Sequence, residues 1–158
     1  LGAQHPDTLF IELNRAATLF QAGQPRAALA QLDHVLPLAR KVLGDKHPQV
    51  HMGYDIRAQS ADELGDRALA MASYRELVAL REAALGADDA RTVDAAWQLE
   101  GLLRQSGKAA EADALRARYV TPLLQAKLDT LSEAQVAKRK DILATEREEA
   151  LAARAGAK

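Results

Sequence analysis

The chain has 158 residues, which is enough for one domain of ordinary size with its own core. Hydrophobic residues make up 48% of it and aromatic residues only 4%, so alanine and leucine dominate and favour helices over strands. The 21 basic and 22 acidic residues nearly cancel, which argues against nucleic acid or a membrane surface as a partner. The chain has no cysteine, which excludes disulfides and is typical of a reducing compartment, so we expect a soluble cytoplasmic protein.

A repeat with a period of 42 residues is the strongest pattern in the sequence. The segments at positions 1–6, 43–48 and 85–90 read LGAQHP, LGDKHP and LGADDA, so the offset is 43 − 1 = 42 and then 85 − 43 = 42. The same offset relates Gly23, Gly65 and Gly107, and also Ala28, Ala70 and Ala112. One such unit cannot bury its apolar face alone, so the period predicts three stacked copies.

Turn residues divide each copy into two helices. The glycine of each Leu-Gly pair can end a helix in the left-handed conformation, and the proline that follows suits the first turn of the next helix. The third copy lacks His-Pro, and there Asp88 or Asp89 can supply a capping oxygen instead. A second glycine, such as Gly23, separates the two helices of a copy. We therefore predict helices over 7–22, 25–42, 48–64, 67–84, 89–106 and 109–126.

Helical spacing of the apolar residues supports this division. Val93, Ala96, Leu99 and Leu103 follow one another at spacings of three, three and four residues, which places them on one face of a helix. The alanine shared by all three copies, such as Ala28, predicts a close crossing of the two helices, where a larger side chain would push them apart.

The end of the chain follows a different pattern. Thr121-Pro122 is expected to break or kink the last repeat helix, and the capping box at 132–135 (SEAQ) begins a charged helix of about 132–155. Its apolar stripe is thin and consists of Val136, Leu143, Ala150 and Leu151. Three interpretations remain: the helix caps the third copy, forms a half-ordered tail, or pairs with another molecule through the seven-residue spacing in that stripe.

These features resemble the tetratricopeptide repeat family, in the 42-residue variety of kinesin light chains and many bacterial proteins. The resemblance rests on the LGxxHP linker, the central glycine with alanine five residues later, and Leu13-Asn14. It departs from the family at Arg15 and Arg57, where leucine is usual, and at the third linker. It implies an all-α, right-handed solenoid of three hairpins over 1–126 (about 1–42, 43–84 and 85–126), followed by a capping or extension helix over 127–158. The opening Leu1-Gly2 predicts a further repeat upstream.

The resemblance also implies that the first helices line a concave groove, which binds an extended peptide or a partner helix. Carried over by position, the candidate groove residues are Leu13, Asn14, Ala17, Asp55, Ile56, Gln59, Asp62, Glu63, Trp97, Gln98, Gly101, Arg104 and Gln105. Trp97, the only tryptophan, is either a hot-spot residue or a core filler at the junction with the last segment. The acidic residues of the second copy form either an acidic strip or a solvated face, and its 7 acidic and 5 basic residues slightly favour a basic or polar ligand.

The sequence offers little support for catalysis or metal binding. His47 and His51 are four residues apart, a spacing that can bind zinc, but His47 belongs to the repeated linker and has a counterpart in His5. Adjacent carboxylates such as Asp88-Asp89 point away from each other on a helix, and a glycine-rich phosphate loop and a nucleophile elbow are missing. We therefore expect no enzyme, no cofactor and no metal.

Two functions remain open from the sequence. The first is a protein-protein interaction module within a larger regulatory or scaffold protein, by analogy a bacterial protein in which the repeats follow a serine/threonine kinase domain. The alternative is self-assembly into a homodimer or filament, through the end faces of the stack or the C-terminal helix. Both predict a protein or peptide as the partner.

Overall fold

The computed structural model describes residue 2 and residues 5–156 as a succession of helices and turns. The helices are α1 (Pro6–Gln21), α2 (Pro25–Leu43), α3 (Pro48–Glu63), α4 (Arg67–Leu85), α5 (Ala90–Gln105), α6 (Ala109–Leu115), α7 (Thr121–Gln125) and α8 (Glu133–Gly156). A π-helical turn, Arg116–Val120, joins α6 to α7, and a short 3₁₀ turn, Leu128–Thr130, precedes α8. Every predicted repeat-helix boundary lies within one residue of the structure. The remainder of the first linker (1, 3 and 4) and residues 157–158 lie outside the described residues.

Side-chain caps explain why the first helix of each copy begins where it does. The Nδ1 atoms of His5 and His47 accept hydrogen bonds from the backbone N–H groups two residues later, both at 3.2 Å. In the third copy the Asp89 carboxylate accepts the backbone N–H of Arg91 at 2.9 Å. The predicted aspartate cap is therefore confirmed, and it replaces the histidine of the other two copies without moving the start of the helix.

Glycines end the second helices of the first two copies, as predicted. Gly44 and Gly86 have φ values of 88° and 97°, and the central Gly65 has 78°. These values lie in the left-handed region, where a Cβ atom would be strained, so the linkers depend on glycine.

The core lies between the copies as well as within them. One buried cluster joins α1 and α2 to Val50 and Ile56 of α3, and a second joins α3 and α4 to α5 and α6. The shared alanines Ala28, Ala70 and Ala112 are fully buried, consistent with the predicted close crossings. A Cβ atom added at Gly53 would lie 2.7 Å from the Leu36 side chain, so α3 approaches the first copy closely at that point.

The second helix of the third copy ends differently from those of the other two. The Thr121 N–H donates to the carbonyl of Arg116, five residues earlier, directly before Pro122, which has no N–H of its own. α2 and α4 each have 19 residues, whereas the helical segment of the third copy ends at Gln125 and is followed by a longer linker that contains the 3₁₀ turn. The capping residues of the first helices are spaced 47 − 5 = 42, 89 − 47 = 42 and 132 − 89 = 43, so α8 begins one residue later than the period predicts.

The first half of α8 packs against the third copy. Ile142 is 0% exposed and lies in a cluster with Val93, Val120 and Leu123. It is offset by 142 − 99 = 43 from Leu99, which is buried at the same position of α5. Residues 147–156 are all exposed. The predicted apolar stripe is wrong here, because Leu143 is 46% exposed on the outer side while its neighbour Ile142 makes the contact.

Truncating Ile142 tests this packing, with Leu143 as the matched control. Ile142→Ala is expected to lower the free energy of unfolding by about 2–4 kcal/mol, because it leaves a cavity between α8 and α5. Leu143→Ala should change it by less than about 0.5 kcal/mol, since that side chain is largely in water. Urea unfolding followed by the fluorescence of Trp97 measures both. Equal effects at the two positions would contradict the docked arrangement.

Two glycines within first helices give a second matched pair. Gly101→Ala should raise the free energy of unfolding by about 1 kcal/mol, because nothing lies within 4 Å of the added Cβ atom and alanine favours the helix. Gly53→Ala should lower it by about 1 kcal/mol, because overpacking against Leu36 outweighs the same helical gain. Calorimetry or denaturant unfolding measures the free energy of unfolding of both variants. A Gly53→Ala variant that is more stable than the parent would mean that the copies are not in close contact at this position.

Candidate functional site

Two neighbouring clefts on the first-helix side of the stack contain most of the predicted groove residues. The acidic cleft, about 300 Å³ in volume, is lined by Phe20, Asp55, Gln59, Asp62, Glu63, Tyr74, Asp94 and Gln98. The α5–α8 cleft, about 290 Å³ in volume, is lined by Asp62, Tyr74, Trp97, Gln98, Glu100, Gly101, Leu102, Arg104, Gln105, Arg116, Thr145, Glu146 and Glu149. Asp62, Tyr74 and Gln98 line both, so the two clefts are continuous.

Four predicted groove residues lie outside these clefts. Leu13 is 0% exposed and Ile56 is 7% exposed, so the prediction that they contact a ligand is wrong. Both side chains belong to the core cluster between the first and second copies, which needs apolar contacts at these positions. Asn14 and Ala17 are half-buried, but they line neither cleft.

Sequence reasoning missed three residues of the acidic cleft. Asp94 lies one helical turn before Gln98 on α5, and that spacing of four could have identified it. Phe20 comes from the last turn of α1, beyond the positions carried over from the family. Tyr74 belongs to α4, a second helix, and no periodicity of the first helices points to it.

The C-terminal helix supplies one wall of the α5–α8 cleft. Thr145, Glu146 and Glu149 of α8 face residues of α5 across it. Arg116 connects the two sides, with its guanidinium 3.2 Å from a Glu100 carboxylate oxygen and 2.6 Å from a Glu146 oxygen. Glu100 is almost completely buried, so these contacts offset the cost of removing its charge from water.

Trp97 and Arg104 are both partly committed to contacts within the chain. The Lys138 ammonium lies 5.1 Å from the centre of the Trp97 ring, a cation–π contact between α8 and α5. The Arg104 guanidinium donates to Glu100 and to Asp113, at 3.0 and 2.8 Å. Trp97 therefore packs at the junction with the last segment, and it also lines the cleft.

The acidic cleft has more carboxylates than local cations. Asp55 pairs with Arg81 at 2.8 Å, and Asp94 pairs with Lys138 at 2.6 Å. Within the described part of the chain, Asp62 and Glu63 have no ion-pair partner, and both are exposed. The cleft therefore keeps a negative potential, contributed by α3.

Tyr74 lies between these carboxylates at the base of both clefts. Its ring is part of the core of the second and third copies, and the residue is only 5% exposed. Its hydroxyl makes no hydrogen bond to any of residues 5–156, and it is not among their buried unpartnered atoms, so it reaches the solvent of the clefts. Burial, followed by the negative charges of Asp55, Asp94 and Asp62, raises the pKa of the Tyr74 phenol, which therefore stays protonated at neutral pH.

His47 of the linker and His51 of α3 each make a hydrogen bond within the chain. The Nδ1 atom of His47 caps α3, and the Nε2 atom of His51 lies 2.7 Å from the carbonyl oxygen of Asp45. Burial lowers the pKa of His51. Across the residues that the structure describes, three His, Cys, Asp or Glu side chains are nowhere grouped to hold a metal ion. The described helices also include none with the length and apolarity needed to cross a bilayer.

The fold and the two clefts define the chain as an α-solenoid of stacked helical hairpins with clefts along its first helices. Residues 7–83 match the sequence profile of the tetratricopeptide repeat family. Two crystal structures of nearly identical TPR-like repeats, from a Podosopora anserina protein assigned as a kinesin light chain, superpose with TM-scores of 0.72 and 0.73. They are 20% identical in sequence and cover 96% of this chain, which itself covers 74% and 73% of theirs. Residues 7–83 thus carry tetratricopeptide repeats, and the predicted resemblance and the all-α solenoid are confirmed.

Two curated relatives match part of the chain. The chain is 28% identical, over 105 residues, to the Clustered mitochondria protein homologs of Aedes aegypti and Culex quinquefasciatus. The match covers 66% of this chain but only 7% and 8% of those much longer proteins. The similarity therefore concerns one short segment of each relative.

Proposed function

We propose that this chain is a protein-protein interaction module that binds a peptide or a partner helix along the acidic cleft and the α5–α8 cleft. The observation that carries the proposal is the continuity of the two clefts through Asp62, Tyr74 and Gln98. An extended segment can lie along such a path and contact several repeats at once. Tetratricopeptide repeats in general mediate interactions between proteins, which supports the same function.

The lining of the clefts suits peptide recognition. Phe20 lies at the α1 side and Trp97 at the α8 side, so aromatic surface is available on both sides of a polar centre. Aromatic residues of this kind often dominate binding energy, while amides such as Gln59 and Gln98 can pair with a peptide backbone. We assign no catalytic step to these side chains.

A regulatory or scaffold role in the cytoplasm is the wider proposal. The relatives are much longer than the segment that matches, which supports a repeat module that works beside other domains. A bacterial source and a neighbouring serine/threonine kinase domain rest only on the family resemblance.

Filling the shared centre of the clefts tests the interaction proposal. Peptides that bind the chain are first selected from a random display library, and their affinity is measured by fluorescence anisotropy. Gln98→Trp should weaken binding by about tenfold or more, because the added ring occupies both clefts without changing the charge. Gln125→Trp, an exposed position on α7 outside both clefts, is the control and should bind normally. Full binding by Gln98→Trp, with unchanged circular dichroism, would reject the concave face as the site.

Self-association through α8 is a second candidate, favoured by the exposure of Leu143 (46%) and Leu151 (55%) on that helix. If the helix pairs with a second copy, light scattering should show a dimer whose fraction rises with concentration. The double variant Leu143→Glu/Leu151→Glu should then be monomeric, because charges replace the apolar contact. Ala144→Glu/Ala152→Glu, with the same spacing and charge, should still dimerise. A parent chain that stays monomeric at every concentration rejects this candidate.

A further inference from the structure

We infer that the acidic cleft is a recognition pocket for a lysine or arginine side chain of a basic peptide, with the cationic group held by Asp62, Glu63 and the Tyr74 hydroxyl. The inference rests on the proposed function and deepens it, because it names the chemical class of the partner. It depends on three observations: the charge balance of the cleft, the unpaired hydroxyl at its base, and a lysine of this chain held in the same way beside it.

The acidic cleft has two carboxylates that no cation of the described chain neutralises, which favours a cationic ligand. Four carboxylates line the cleft, three from α3 and Asp94 from α5. Arg81 and Lys138 approach it from α4 and α8, and each already pairs with one of them. The negative charges of Asp62 and Glu63 remain uncompensated by any described residue, and both are open to solvent. A ligand cation placed there pairs with one of these carboxylates and is attracted by the charge of the other, without having to displace a bound arginine or lysine.

The Tyr74 hydroxyl provides the second observation. The side chain is 5% exposed, and its hydroxyl has no partner among the described residues, although it lines both clefts. A phenolic oxygen can accept a hydrogen bond from an ammonium or a guanidinium group. A cation beside Asp62 could donate to this oxygen as well, and an anionic ligand would instead meet the surrounding carboxylates.

Lys138 shows how the same surface holds a cation. Its ammonium group lies 2.6 Å from Asp94, 2.6 Å from Asp141 and 5.1 Å from the centre of the Trp97 ring, so two carboxylates and an aromatic face together fix one lysine. On the other side of the acidic cleft, Phe20 and the Asp62–Glu63 pair offer the same two kinds of group. A ligand side chain can lay its methylene groups or guanidinium plane on Phe20 while its charge reaches the carboxylates.

Continuity with the α5–α8 cleft favours a peptide over a small polyamine. A peptide that places one basic side chain beside Asp62 has room for its flanking residues along Gln98 and Gly101. A free polyamine offers the same ammonium chemistry but would leave that path empty. Spermine is therefore included in the test as the other source of the cation.

The test uses the complete chain and a fluorescein-labelled oligo-arginine peptide, with an oligo-glutamate peptide of equal length for comparison, in fluorescence anisotropy titrations. Only the oligo-arginine peptide should bind, and rising salt should weaken it. Asp62→Asn/Glu63→Gln should weaken binding by about tenfold or more, because both carboxylates of the pocket lose their charge. Asp129→Asn/Glu133→Gln removes two exposed charges outside both clefts and should change binding by less than about twofold.

Tyr74→Phe separates a specific pocket from a general attraction between charges. The substitution removes only the hydroxyl, so it should weaken the affinity for the oligo-arginine peptide by about threefold to tenfold while leaving the melting temperature of the chain unchanged. Equal losses of peptide affinity in Asp62→Asn/Glu63→Gln and in the control Asp129→Asn/Glu133→Gln would overturn the inference. Unchanged peptide binding by Tyr74→Phe would overturn it as well. Spermine that competes fully at concentrations near the affinity of the peptide would also overturn the choice of a peptide.

Failure of this inference is distinguishable from failure of the proposed function. Suppose that library-selected peptides bind the parent chain but not Gln98→Trp, and that oligo-arginine binds no better than oligo-glutamate. The proposal that the clefts bind peptides is then kept, and the pocket for a basic side chain is rejected. If neither the selected peptides nor oligo-arginine respond to changes in the clefts, both proposals are rejected.

Discussion

A helical hairpin buries its apolar face only against a neighbouring hairpin, and the rest of this structure depends on that contact. The cores lie across the boundaries between copies, and at Gly53 the approach leaves no room for even one further methyl group beside Leu36. The contact that buries the cores also sets the first helices side by side. The clefts between α3, α5 and α8 are therefore a consequence of the stacking. Most of the side chains that line them are not buried between the copies.

The repeat tolerates chemical change as long as the geometry of its turns is kept. A histidine nitrogen caps α1 and α3 and an aspartate oxygen caps α5, and the helices begin at equivalent positions because each acceptor reaches an N–H two residues on. The last copy has a π turn before Pro122 and a longer linker before α8, yet the cap of α8 follows that of α5 by only one residue more than the period. At this offset α8 presents a buried residue, Ile142, where α5 presents Leu99.

Ion pairs within the stack decide what remains available to a ligand. Arg81 and Lys138 each connect two elements, and in doing so they neutralise Asp55 and Asp94. Asp62 and Glu63, about two turns further along α3, have no such neighbour among the described residues and keep the cleft acidic. Uncompensated negative charge of α3 thus lies in the cleft beside Tyr74, whose hydroxyl bonds to none of the described residues.

The sequence by itself determined the period, the helix boundaries and the repeat family, because glycines, prolines and capping residues act over a few neighbouring positions. Through the family resemblance it also pointed to most of the α3 and α5 residues that line the two clefts. Only the tertiary structure decided that Leu13 and Ile56 are core residues and that Ile142 rather than Leu143 contacts the stack. It also added Tyr74 and the α8 wall to the clefts. These features depend on which faces of helices distant in the sequence pack together. The apolar period within one helix does not determine which other helix its face contacts.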